Sequence, residues 1–133
     1  MQNNIVNAIG AVPAGLITYL FGVQDALLNA LFFALAVDFV SGLAAARVNN
    51  ELSSKVCFKG VTKKFFILCI AAMANILDDA TGAGGMLRSV VLGFYIANEA
   101  LSLIENGARL GVPMPPKFKE ALIQLKGDTV KSE

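Results

Sequence analysis

The chain has 133 residues, 56% of them hydrophobic and 16% charged, and a mean hydropathy of +0.63. That length allows one domain, and water cannot solvate so apolar an exterior, so lipid is the expected solvent. A net charge of +1 leaves no footprint for nucleic acid, and the lack of any histidine removes the commonest general base and metal ligand, which rules out triads and most zinc sites; no cofactor or metal is expected.

Four apolar segments, delimited by charges and turn residues, predict an all-α integral membrane protein of about four short transmembrane helices, arranged as two antiparallel hairpins and followed by a C-terminal amphipathic helix. The first spans about 5–23, long enough for a hydrocarbon core of roughly 30 Å, with Pro13 as a candidate kink. Met1 to Asn4 carries no Lys or Arg, so this stretch is read as mature sequence and not as a signal peptide. Gly22-Val23-Gln24-Asp25 is a tight turn into the second span, 26–46.

A basic loop, 47–64, is expected next, with Arg47, Lys55, Lys59, Lys63 and Lys64 as cytoplasmic anchors. The third span, 61–79, has an apolar stretch only from Phe65 to Leu77, about 20 Å of helix, so Lys63 and Lys64 are expected to snorkel outward. Cys57 in the loop and Cys69 packed in the helix are both read as unpaired thiols. After the glycine-rich turn Thr81 to Gly85 comes the fourth span, 86–104. The transmembrane domain is 1–112 and the cytoplasmic tail 113–133. In the tail, Phe118, Ala121, Leu122 and Leu125 fall at helical spacing between Lys117 and Lys126, Gly127 is a stop signal, and Val130 to Glu133 is expected to be disordered.

Five basic residues lie between spans two and three and five more after span four, whereas the other turns carry Asp25, Asp78 and Asp79. Basic residues hold loops on the cytoplasmic side, so the protein is expected in the bacterial cytoplasmic membrane with both termini in the cytoplasm. An alternative has three spans, the first segment lying in the interface.

Ionisable groups within a span face protein or water. Arg88, Tyr95, Glu99 and Ser102 share one stripe of the fourth span, continued by Asn106; Asp38, Ser41, Gly42 and Ala45 share a face of the second; Lys64, Leu68, Ala71, Asn75 and Asp78 or Asp79 share a side of the third. Asp38, Asn75, Arg88, Tyr95, Glu99 and Ser102 are therefore candidates either for interhelical packing, with Asp38 or Glu99 paired to Arg88, or for lining a water-filled opening. Gly10, Ala14, Gly15 and Gly42 carry the small-residue spacing of helix association.

Several runs, Asp38-Phe39-Val40-Ser41-Gly42, Leu52-Ser53-Ser54-Lys55, Phe58-Lys59-Gly60, Lys63-Lys64, Leu87-Arg88, Phe94-Tyr95-Ile96-Ala97-Asn98-Glu99, Glu105-Asn106 and Gly111-Val112-Pro113-Met114-Pro115, resemble the toxin-secretion and phage-lysis holin family. Ser41 stands where that family has threonine, and Cys57 where it has glycine, which puts a tight turn at 57 in doubt. The resemblance implies a small protein that gathers as a homo-oligomer in the cytoplasmic membrane and permeabilises it for an endolysin or toxin to pass, with an antiholin as a further partner and no catalytic residues. An ion-conducting channel or transporter subunit using Asp38, Arg88 and Glu99, and a non-lytic antiholin, are the competing expectations.

Overall fold

The computed structural model describes residues 2–131, with side chains at 10–121, 123, 124 and 127, and those residues form five helices and no strand. They are α1 (Gln2–Phe21), α2 (Ala26–Val48), α3 (Ser54–Thr81), α4 (Met86–Arg109) and α5 (Pro116–Lys131). Among the described residues α2, α3 and α4 are long and apolar enough to cross a membrane, and the part of α1 whose side chains are described, Gly10–Phe21, is a shorter apolar helix.

The helix starts follow local chemistry. Asp25 is the N-cap of α2, its Oδ1 accepting from the Leu28 N–H at 2.9 Å, and Ser53 caps α3 by accepting from the Val56 N–H at 3.3 Å. Gly82 ends α3 at φ +67°, where a side chain would be strained, and the next amide, Ala83 N–H, donates to the Asp78 carbonyl.

The expected loop 47–64 is mostly helix; only residues 49–53 connect α2 to α3. Lys55, Lys59 and Lys63 recur every fourth residue, which sets them on one exposed stripe of α3, so their abundance marks a solvated helix face and not a loop. With 28 residues, about 42 Å, α3 is not the undersized span expected from its apolar stretch. Cys57 lies inside α3, so no tight turn exists there, and Cys69 is exposed on it instead of packed; both thiols are free.

The packing does not divide into two hairpins. α4 is the central helix, contacting α2, α3 and α5, while α1 packs on α3. Leu28, Leu31 and Leu35 of α2 meet Ile67 and Ala71 of α3 and Leu92 of α4 in the core, with Tyr95 and Phe32 against it. Phe33, Val40, Phe65, Phe66 and Met73 point outward, as lipid-facing side chains do. α5 continues through the expected stop at Gly127 to Lys131, because one glycine costs a helix only about 1 kcal/mol against alanine. Phe118 and Ala121 are exposed, and the side chains of Leu122 and Leu125 lie outside the described residues. The disorder expected of Val130 to Glu133 is corrected for Val130 and Lys131, which are helical; Ser132 and Glu133 lie outside the described residues.

Candidate functional site: two polar nodes in the helix bundle

The charged groups of the spans gather at two levels, separated by the leucine core. The first level is the corner where α1 turns into α2 and α3 turns into α4. Here Arg88, buried on α4, donates from Nε to the Phe21 carbonyl at 2.7 Å, from Nη2 to the Val23 carbonyl at 2.9 Å, and from both Nη1 and Nη2 to the Asp25 carboxylate at 2.8 and 3.1 Å. The planar guanidinium suits this two-point grip on one carboxylate. Those bonds hold the Asp25 carboxyl down from its ordinary 3.8 to about 2, the Arg88 hydrogen bond first and the Leu28 amide second.

The same corner fixes the start of α4. Its N-cap, Gly85, has no side chain to give, and Asp78 from the end of α3 supplies the missing acceptor, taking the Leu87 and Arg88 amides at 3.1 and 2.6 Å. Asn75, one turn earlier, donates to the Tyr19 carbonyl at 3.3 Å. Gly22, at φ +78°, passes so close that a Cβ would lie 2.4 Å from Asn75 Oδ1. Glycine is required there by both conformation and space.

The second level lies deeper. Asp38 is thirteen residues into the bundle from Asp25, and Glu99 eleven beyond Arg88, about 20 and 16 Å along their helices. Here the Lys64 ammonium donates to Asp38 Oδ2 at 2.5 Å and also to Glu99 Oε2. One cation of α3 therefore joins carboxylates of α2 and α4. Glu99 is fully buried, and its Oε1 has no hydrogen bond, only the Lys63 ammonium at 3.5 Å. Asn106 completes the network from α4, donating to Asp38 Oδ1 at 3.1 Å and to Ser41 Oγ at 3.0 Å. Unpaired, these charges would be too costly to keep within a bilayer.

The expected stripes thus exist, but their pairing differs. Arg88 pairs with Asp25, not with Asp38 or Glu99, because the two levels are too far apart along α4. Lys64, expected as an outward anchor, points inward with its side chain 13% exposed; the stripe it shares with Leu68, Ala71 and Asn75 was the correct signal. Asp38, Asn75, Arg88 and Glu99 are buried, Tyr95 and Ser102 half-buried, and Arg47, Lys55, Lys59 and Lys63 exposed. Asp25 was missed as a partner, although an aspartate directly before an apolar helix is an N-cap signal.

Of the small residues, Gly10, Ala14 and Gly15 are exposed, with open space around both glycines. Gly42 is half-buried where α2 faces α4, and a Cβ there would sit 3.5 Å from Asn106 Nδ2, an ordinary contact, so space does not require glycine at this position.

These features define a multi-pass helical membrane protein whose polar groups are arranged between helices. The chain belongs to the bacteriophage holin family, whose sequence pattern matches residues 15–127. That match begins well before Asp38, where the resemblance in motifs begins. Among its relatives, an uncharacterised Listeria innocua protein is 38% identical over 120 residues, covering 90% of this chain and 86% of its own. An uncharacterised 14.9 kDa protein of Clostridium perfringens is 40% identical, over 93% of this chain and 97% of its own. A probable holin of Bacillus phage phi105 is 31% identical, over 83% of this chain and 81% of its own. No solved structure matches the chain.

Proposed function

We propose that this protein accumulates in the bacterial cytoplasmic membrane as a quiet helical unit, then associates with further copies and permeabilises the membrane so that an endolysin or a toxin passes. The observation that carries this reading is the Lys64 cluster: three helices long and apolar enough to cross a membrane hold their charges against one another between the helices, out of reach of lipid tails that could not solvate them. If the helices part, those charges need water, and a ring of copies turning the same faces inward supplies it. The single chain is then the sheltered state and the oligomer the wetted one.

In this reading α1 is a fourth span. Its end is tied by Arg88 to the corner that carries Asp25, Asp78 and Asp79, while Arg47, Lys55, Lys59 and Arg109 lie at the opposite end of the bundle. Basic ends stay inside, so both termini and the 49–53 connection are cytoplasmic and the two acidic turns are outside. The exposed Gly10, Ala14 and Gly15 of α1 offer a close-packing face for another copy.

Inducing the chain in a bacterium while following membrane potential and colony survival tests the proposal. Abrupt depolarisation with loss of viability, and escape of a co-expressed cytoplasmic endolysin, is the expected result. A selective conductance in cells that survive would replace it with a channel, and silence until a second holin is co-expressed would replace it with an antiholin.

A further inference from the structure

At its basic end the bundle is open. A cavity of about 580 Å³ lies between α2, α3 and α4, with Lys59, Lys63, Lys64 and Arg109 in its wall. Against these four cations stand Asp38 and Glu51 in the wall and Glu99 behind Lys64 and Lys63, three carboxylates in all, which leaves one positive charge. Asp38 and Glu99 are both engaged by Lys64, and Glu51 by Arg109. Lys59 has no carboxylate within ion-pair distance among the described residues, and Lys63 has only its 3.5 Å contact with Glu99. The cavity therefore keeps two exposed ammonium groups, one helical turn apart on α3, facing an uncompensated unit of charge.

From this cavity an apolar groove of about 470 Å³ runs down between α2 and α3, lined by Phe32, Leu35, Ala36, Val61, Phe65 and Leu68. Phe39 and Lys64 belong to both. Gly60 stands at the junction, where a Cβ would come within 3.2 Å of the Phe39 ring. The groove exists because α2 and α3 touch little; each packs mainly on α4.

A monoanionic, basic-seeking head joined to an aliphatic tail fits this shape, and we propose that the cavity and groove bind one acidic phospholipid. Its phosphodiester sits by Lys59 and Lys63, cancelling the single excess charge, and one acyl chain fills the groove between α2 and α3. Basic pockets between membrane helices on the cytoplasmic side hold acidic headgroups by the same electrostatics. The bound lipid is a wedge between α2 and α3 beside the Lys64 cluster.

The test titrates the purified full chain in neutral detergent with dioleoylphosphatidylglycerol, reading lipid-bound masses by native mass spectrometry and the thermal unfolding midpoint. Retention of one lipid and a raised midpoint are expected, with no such effect from dioleoylphosphatidylcholine, inorganic phosphate or glycerophosphoglycerol. The variant Lys59→Gln/Lys63→Gln is expected to bind on the order of tenfold or more weakly. Ala36→Trp, which fills the exposed groove without touching a charge, is expected to weaken binding as well, whereas Lys117→Gln/Lys119→Gln in α5 leaves it unchanged. Circular dichroism of each lipid-free variant checks its helix content. Equal binding of the phosphatidylcholine, a matching effect of free phosphate, or loss of binding in the α5 variant alone overturns the proposal, and none of these outcomes bears on whether the chain permeabilises membranes.

Discussion

A lysine that bonds two carboxylates cannot be removed quietly. Lys64→Gln leaves Asp38 and Glu99 buried with no cation between them, and breaking a buried pair this way costs on the order of 3 kcal/mol. Unfolding of the purified chain in mixed micelles measures that loss. The triple variant Asp38→Asn/Lys64→Gln/Glu99→Gln removes the three buried charges together and leaves only the exposed Lys63 beside them, and is expected to recover to within about 1 kcal/mol of the parent, since a neutral hydrogen-bonded set avoids the desolvation of ions. Asp25 gives a pH dependence of its own. Its carboxyl is held down from 3.8 to about 2 by Arg88, so the Arg88–Asp25 share of the bond between α4 and the α1–α2 turn contributes fully above about pH 4 and is lost as pH falls through 2, while the Arg88 bonds to the Phe21 and Val23 carbonyls persist. A fluorophore on α1 that reports its distance from α4 is expected to move in that window, and Asp25→Asn to abolish the movement.

At the scale of the elements, helix boundaries were legible where turns carry glycine or a capping side chain. Asp25 before α2, and Gly82 to Gly85 between α3 and α4, mark ends that the structure keeps. The start of α3 was not legible, because lysine density reads as a loop until its spacing of four is noticed and until Ser53 is recognised as the cap. Ser53→Ala is expected to cost about 1 kcal/mol and to fray the first turn of α3, seen as faster amide exchange at Lys55 to Cys57. The stripes of Asp38, Asn75, Arg88 and Glu99 were also legible from the helical period. Their partners were not, because a stripe gives an angle around the helix and the pairing depends on height along it. Arg88 and Glu99 share a face of α4 yet serve levels about 16 Å apart.

For the molecule as a whole, composition alone announced lipid as the solvent, and the membrane helices of the holin family bear that out. The centrality of α4 was hidden, since no periodicity says which of several amphipathic helices the others share. Its two nodes give a functional prediction: Glu99→Gln and Arg88→Gln each alter the time of lysis, the first through the Lys64 cluster and the second through the corner. Optical density of induced cultures reads both, and an unchanged schedule in both would reduce the α4 stripe to packing. The most direct measurement of the account is time-resolved membrane potential in cells carrying equal membrane amounts of the parent chain and of Lys64→Gln. A silent interval and then sudden collapse is expected for the parent, with the collapse displaced in time for Lys64→Gln. Slow, graded depolarisation on one schedule for both would contradict it.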